Sequence, residues 1–173
     1  MKLSRILIAG AAAIGVVGGA QAQSCIRSTE TEAFNVRALQ SQLMVAMLQC
    51  GPESEAKYGQ FITRYRTELN TAFQTISTSY RRSGGNPAMD SYITTMANAQ
   101  SQDGIKQGTR FCANAAPMFD SALASPNNSA SLAQLAVLNN LSNPHGRSDC
   151  PAGAAPVAAE RPARAARPAR ARR

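Results

Sequence analysis

The sequence predicts an all-α protein: a compact bundle of four to five helices, with two disulfides and a disordered C-terminal tail. Three observations predict it. Apolar residues recur at steps of three and four along the body, with no sustained alternation of period two. Gly and Pro clusters separate these stretches at helical lengths. Four cysteines follow a segment built like an export signal, the setting in which an even count reads as disulfides and not as a metal site.

Residues 1–22 are expected to be a cleaved signal peptide. Lys2 and Arg5 precede the apolar run Ile6 to Ala20, and Ala20-Gln21-Ala22 is a small-x-small cleavage site. The run falls short of the roughly 20 residues a membrane helix needs, and no other stretch is long enough. Cys25 would be the lipidated residue of a lipoprotein, but Ala22-Gln23-Ser24 lacks the Leu and small residues expected before it. With cleavage after Ala22, the expected location is the periplasm or the cell exterior.

The helical domain is assigned to 23–150. Thr31 to Cys50 carries Val36, Leu39, Leu43, Met47 and Cys50 on one face, and Gly51-Pro52 ends it. Ser54, a natural N-cap, opens a second helix to Arg82 with the stripe Tyr58, Phe61, Ile62, Tyr65, Leu69, Ala72, Phe73, Ile76 and Tyr80. Ser83-Gly84-Gly85 forms a turn, and Asn86-Pro87 is expected to cap a third helix bearing Met89, Tyr92, Ile93, Met96 and Ala99. Ser101 to Gly104 should break or loosen that helix. A buried face resumes at Ile105, Phe111, Cys112, Ala115, Met118, Phe119 and Ala122, where Pro117 should kink the chain or start a new helix. After a loop from Ser125 to Ser129, Leu132, Leu135, Ala136 and Leu138 mark a last helix ending near Leu141, and Ser142 to Cys150 is a loop.

Residues 151–173 are nearly all Ala, Pro and Arg, and so carry too little apolar surface to order themselves. This tail changes the meaning of the charge. The whole chain is +8, yet 23–150 holds 10 basic and 9 acidic residues, so the body is nearly neutral. Cys25, Cys50, Cys112 and Cys150 contain no C-x-x-C pair, which gives no support to a zinc or thioredoxin-like site. Four cysteines allow three pairings, which spacing does not distinguish. The expectation taken here is the nested one, Cys50 with Cys112 and Cys25 with Cys150.

The run Asn35 to Cys50 (NVRALQSQLMVAMLQC), followed by Tyr58, Phe61, Arg66, Leu69 and the Phe111-Cys112 pair, resembles a group of small exported all-helical bacterial proteins of unknown function. The resemblance covers about 34–123. It implies that Cys50 and Cys112 occur together as a bridge, and it implies no activity, cofactor or catalytic residue.

No catalytic constellation is recognised. The lone His145 lies in the turn-rich segment Ser142 to Arg147 and reads as a solvated loop residue. Glu30 with Glu32, and Glu53 with Glu55, sit where helices begin and suit the helix dipole. Arg64 and Glu68 are spaced for a surface pair. No metal-ligand set, phosphate loop or dinucleotide fingerprint is present. The tail arginines Arg161, Arg164, Arg167, Arg170, Arg172 and Arg173 suit an anionic envelope surface, with no aromatic residues among them for nucleic-acid stacking, and export gives no expectation of a cytosolic nucleic-acid partner. The expected function is a non-catalytic envelope protein whose body binds an unidentified protein partner and whose tail associates with anionic surfaces. One alternative is a binder of unfolded clients, using an apolar face at Met44, Val45 and Leu48. The other is an enzyme, which requires a concave pocket gathering His145 or several carboxylates.

Overall fold

The computed structural model describes residues 25–151; the predicted signal segment and all but the first residue of the predicted tail lie outside the described residues. The described chain is all-α. It consists of α1 (Ser28–Cys50), α2 (Pro52–Arg64), α3 (Arg66–Arg81), α4 (Gly85–Gln107), a 3₁₀ turn (Gly108–Arg110), α5 (Phe111–Ala124) and α6 (Ser129–Leu138). A single residue, Tyr65, separates α2 from α3. Backbone bonds span it from both sides, Tyr65 N–H to the Phe61 carbonyl at 3.0 Å and Leu69 N–H to the Tyr65 carbonyl at 2.9 Å. The pair is therefore one broken rod, and the described residues form a bundle of five rods, within the four to five helices expected.

The α1 helix is the axis of the bundle and contacts every other helix. The sequence predicts one buried face on it, but the structure buries Ala33, Phe34, Val36, Ala38, Leu39, Ser41, Gln42, Leu43, Val45 and Ala46, which lie all around it. The reason is size: Ala38, Ser41 and Ala46 let neighbours approach on sides where a periodicity count looks only for large apolar groups. The helix also begins three residues earlier than expected, where the Glu30 carboxylate accepts the Arg27 backbone N–H at 2.9 Å.

Other boundaries differ for identifiable reasons. Pro52 takes the first turn of α2 after Gly51 at φ 85°, so Ser54 lies inside the helix and is not its cap. Gly84, at φ 103°, replaces Asn86 as the residue before α4. Ser101 to Gly104 does not break α4. Gly104 is there because the Phe111 ring packs on it, so closely that a Cβ would lie 3.2 Å from the ring edge. Pro117 is accommodated inside α5, which neither stops nor restarts there. Phe73 and Leu138, expected in the buried stripes, are exposed, since α3 and α6 pack through Leu69, Ala72, Ile76, Leu132, Ala133 and Ala136.

Both disulfides follow the nested pairing. Cys50–Cys112 fastens the end of α1 to the start of α5, and Cys25–Cys150 joins the two ends of the domain across 125 residues. Beside the latter, Ile26 donates to the Ser148 carbonyl at 2.9 Å and its own carbonyl accepts from Cys150 N–H at 2.8 Å, forming one isolated parallel bridge. No helix among the described residues is long and apolar enough to cross a membrane. The two bridges place the protein in an oxidising, extracytoplasmic setting.

Candidate functional site

The residues after α6 do not hang free as a solvated loop. They run back along the bundle, pinned at successive levels to α1, α3 and α4. Gln100 of α4, fully buried, donates from Nε2 to the Ala38 and Ser142 carbonyls at 3.0 and 3.2 Å. Tyr92 donates to Asn143 Oδ1 at 3.0 Å, while Asn143 Nδ2 donates to Asn35 Oδ1 at 3.0 Å. Further on, Arg147 places its guanidinium between two rings, 5.0 Å from the centroid of Phe34 and 4.6 Å from that of Tyr80. One terminal nitrogen donates to Ser79 Oγ and Ser83 Oγ, both at 3.0 Å.

His145 is part of this packing, which corrects the expectation of a solvated loop histidine. Its ring lies 5.0 Å from that of Phe34, and its Nδ1 accepts the Arg147 backbone N–H at 3.3 Å. Burial, followed by the charge of Arg147, holds the imidazole pKa below its ordinary value, against an opposing pull from Asp149. With Ser91, Arg147 and the rings of Tyr80 and Tyr92 it lines a shallow pocket of about 320 Å³. No carboxylate lines that pocket, so His145 and the acidic residues are not gathered in one place.

The first segment of this return path closes a different cavity. Where α6 ends, Asn139 and Asn140 turn the chain, Asn140 with the left-handed φ of 48° that Asn tolerates better than most residues. Opposite them stand the end of α4, the first half of α5 and the middle of α1, and the space between is a cleft of about 510 Å³. Five carboxamides line it: Gln42, Gln107, Asn114, Asn139 and Asn140. Its apolar wall is Phe111, Ala115, Met118 and Leu141. Asn114 Nδ2 donates to Gln107 Oε1 at 2.7 Å, and Asn139 Nδ2 to the Leu135 carbonyl at 2.8 Å. The one carboxylate, Asp103, accepts from Ser142 Oγ at 2.7 Å and from Lys106 at 3.2 Å; these contacts, the Ser142 bond first, hold its pKa below the ordinary value. Gln42 is largely buried, its side chain makes no hydrogen bond to another described residue, and its amide atoms stay open to solvent in the cleft.

The cysteines are all paired. The tail arginines Arg161, Arg164, Arg167, Arg170, Arg172 and Arg173 lie outside the described residues. Arg64 does not pair with Glu68 but reaches Asn127 Oδ1 at 2.9 Å and the Ser125 carbonyl at 3.2 Å, because the α5–α6 loop packs beside it. Glu30 is buried and paired with Arg82, the residue that follows α3. Val45 is buried and Met44 half-buried, which leaves Leu48 alone exposed and dissolves the apolar face expected for client binding. Among the described residues, no three His, Cys, Asp or Glu side chains come together in a way that could hold a metal ion. Sequence reasoning missed the carboxamide cleft and the Arg147 stack entirely; the one available signal was a Gln inside the apolar first-helix pattern. No protein family, curated protein or solved structure matches the chain.

Proposed function

We propose that this chain is a non-catalytic binding protein of the cell envelope, whose helical body holds a partner and whose basic extension associates with anionic surfaces. The observation that carries the reading is charge segregation: a body of 10 basic and 9 acidic residues followed by an extension with six Arg and one Glu. The signal-like start and the two disulfides support a periplasmic or secreted location for the mature protein. The resemblance of the α1 sequence to small exported helical proteins agrees with this reading. Cys25–Cys150 also supports it, because the bridge anchors the root of the extension to the rigid body.

Cosedimentation of the mature protein with phosphatidylglycerol vesicles tests the reading. The full mature chain should bind at low salt and release at high salt, because counterions screen exposed charge beyond about 10 Å at 0.1 M. A chain ending at Cys150 should not bind. Equal sedimentation of both forms at either salt concentration would overturn the role of the extension.

A further inference from the structure

We infer that the cleft between α1, α4, α5 and the Asn139–Ser142 turn binds an uncharged sugar. This rests on reading the body as a binding module, and it names the ligand's chemistry. The charge of the lining sets the first condition. Asp103 and Lys106 neutralise each other at 3.2 Å, and no other ionisable side chain lines the cleft. A charged ligand would lose its hydration there without gaining a counter-charge.

The carboxamides set the second condition. Each presents a planar acceptor beside two donors, and a sugar hydroxyl both donates and accepts, so neighbouring ring hydroxyls complement one carboxamide through two bonds. The Asn114–Gln107 bond leaves the Asn114 oxygen and the Gln107 amide hydrogens uncommitted. Gln42 lines the cleft with both its oxygen and its amide hydrogens free of protein partners and open to solvent. Ring hydroxyls of a bound sugar would take the place of that solvent.

The shape and the apolar wall of the cleft suit the same ligand. The 510 Å³ of the cleft falls within the ~300–1,000 Å³ typical of small-molecule sites. Phe111, Ala115 and Met118 offer an apolar surface to the C–H face of a sugar ring. A peptide would also pair with carboxamides, but extended peptides dock on sheet edges or long grooves, and the described residues hold only one isolated bridge.

Side-chain amide resonances of the ¹⁵N-labelled mature protein read this out directly. Glucose, maltose and N-acetylglucosamine are titrated separately to millimolar concentrations, with tri-alanine as the peptide control. At least one sugar should give saturable shifts centred on the amides of Gln42, Asn114, Asn139 and Asn140, and tri-alanine should give none. Gln42→Met should abolish the saturable shifts while leaving the melting temperature near that of the parent protein. Asn114→Ala, at an exposed position, keeps the test open should the first variant fold poorly; it should weaken binding by up to about tenfold, the worth of a hydrogen bond or two. No shift with any of the three sugars, unchanged affinity in both variants, or equal shifts with tri-alanine would overturn the proposal. The same Gln42→Met sample should still sediment with phosphatidylglycerol vesicles. Loss of sugar binding with vesicle binding intact therefore counts against the cleft alone, and the converse against the extension alone.

Discussion

Burial of His145 against Phe34, with the Arg147 charge close by, favours the neutral imidazole, and this couples folding to pH in a definite direction. The unfolded chain begins to take up a proton as pH falls through 6.5, whereas the folded chain does so only lower, so stability declines from pH 6.5 down to the folded pKa and is flat beyond. His145→Gln should flatten that slope in urea midpoints measured against pH. Glu30 acts in a separate window. Burial would raise its pKa, but the Arg27 backbone N–H and the Arg82 side chain together outweigh it and hold the carboxyl below 4.5. Its contribution is complete above the unfolded value and disappears as pH falls through the folded one, so Glu30→Gln should remove acid sensitivity only below about pH 4.5. Tyr65 is buried, and its hydroxyl lies 2.7 Å from both the Ala122 and Ser125 carbonyls at the end of α5. Tyr65→Phe leaves these without that donor and should cost about 1–2 kcal/mol in urea unfolding. The helix-start role of Glu30 was legible in the sequence, but the long-range pairings were not. Arg147 meets Ser79 and Ser83 more than 60 residues away, and a local pattern holds no record of such contacts.

Helices were more legible than their ends, since a buried stripe repeats every turn while a boundary depends on one or two residues. The stripe from Tyr58 to Tyr80 appears in the core largely as read, because Phe61, Tyr65, Leu69, Ala72, Ile76 and Tyr80 are all buried. Gly104 misled the reading: the same absent side chain that weakens a helix also admits the Phe111 ring, and only packing tells the two apart. Two glycines separate these effects experimentally. Gly59 lies inside α2 with nothing within 4 Å of where a Cβ would stand, so Gly59→Ala should stabilise by up to about 1 kcal/mol. Gly84 combines φ 103° with a Cβ position only 2.8 Å from that of Ala88, so Gly84→Ala should destabilise by about 1–3 kcal/mol. Chemical denaturation of both variants checks the opposite signs.

The two disulfides restrain the whole chain unequally. In the chain-entropy description, loops of 125 and 62 residues correspond to roughly 5 and 4 kcal/mol, less in sum because one loop lies inside the other. Hydrogen exchange should localise the difference. Replacing Cys25 and Cys150 by Ala should first expose the amides of residues 142–150, whereas replacing Cys50 and Cys112 should first loosen the joint of α1 with α5. The overall class, the rod count and the need for two bridges were legible from periodicity and cysteine parity. The all-round burial of α1 was not, because its contacts are shared among five other helices.

That central position also sets an order of events. A polypeptide emerges from a ribosome or a translocation channel starting at its N-terminus, so α1 appears before the other described helices. Its neighbours follow one at a time, and α6, which packs along it, is the last of those described. Until Leu138 has emerged, a helix destined for burial on nearly every side stays partly uncovered. The most protected element of the finished fold is thus the most vulnerable during its birth, and the interval grows with every residue inserted between Cys50 and Ser129.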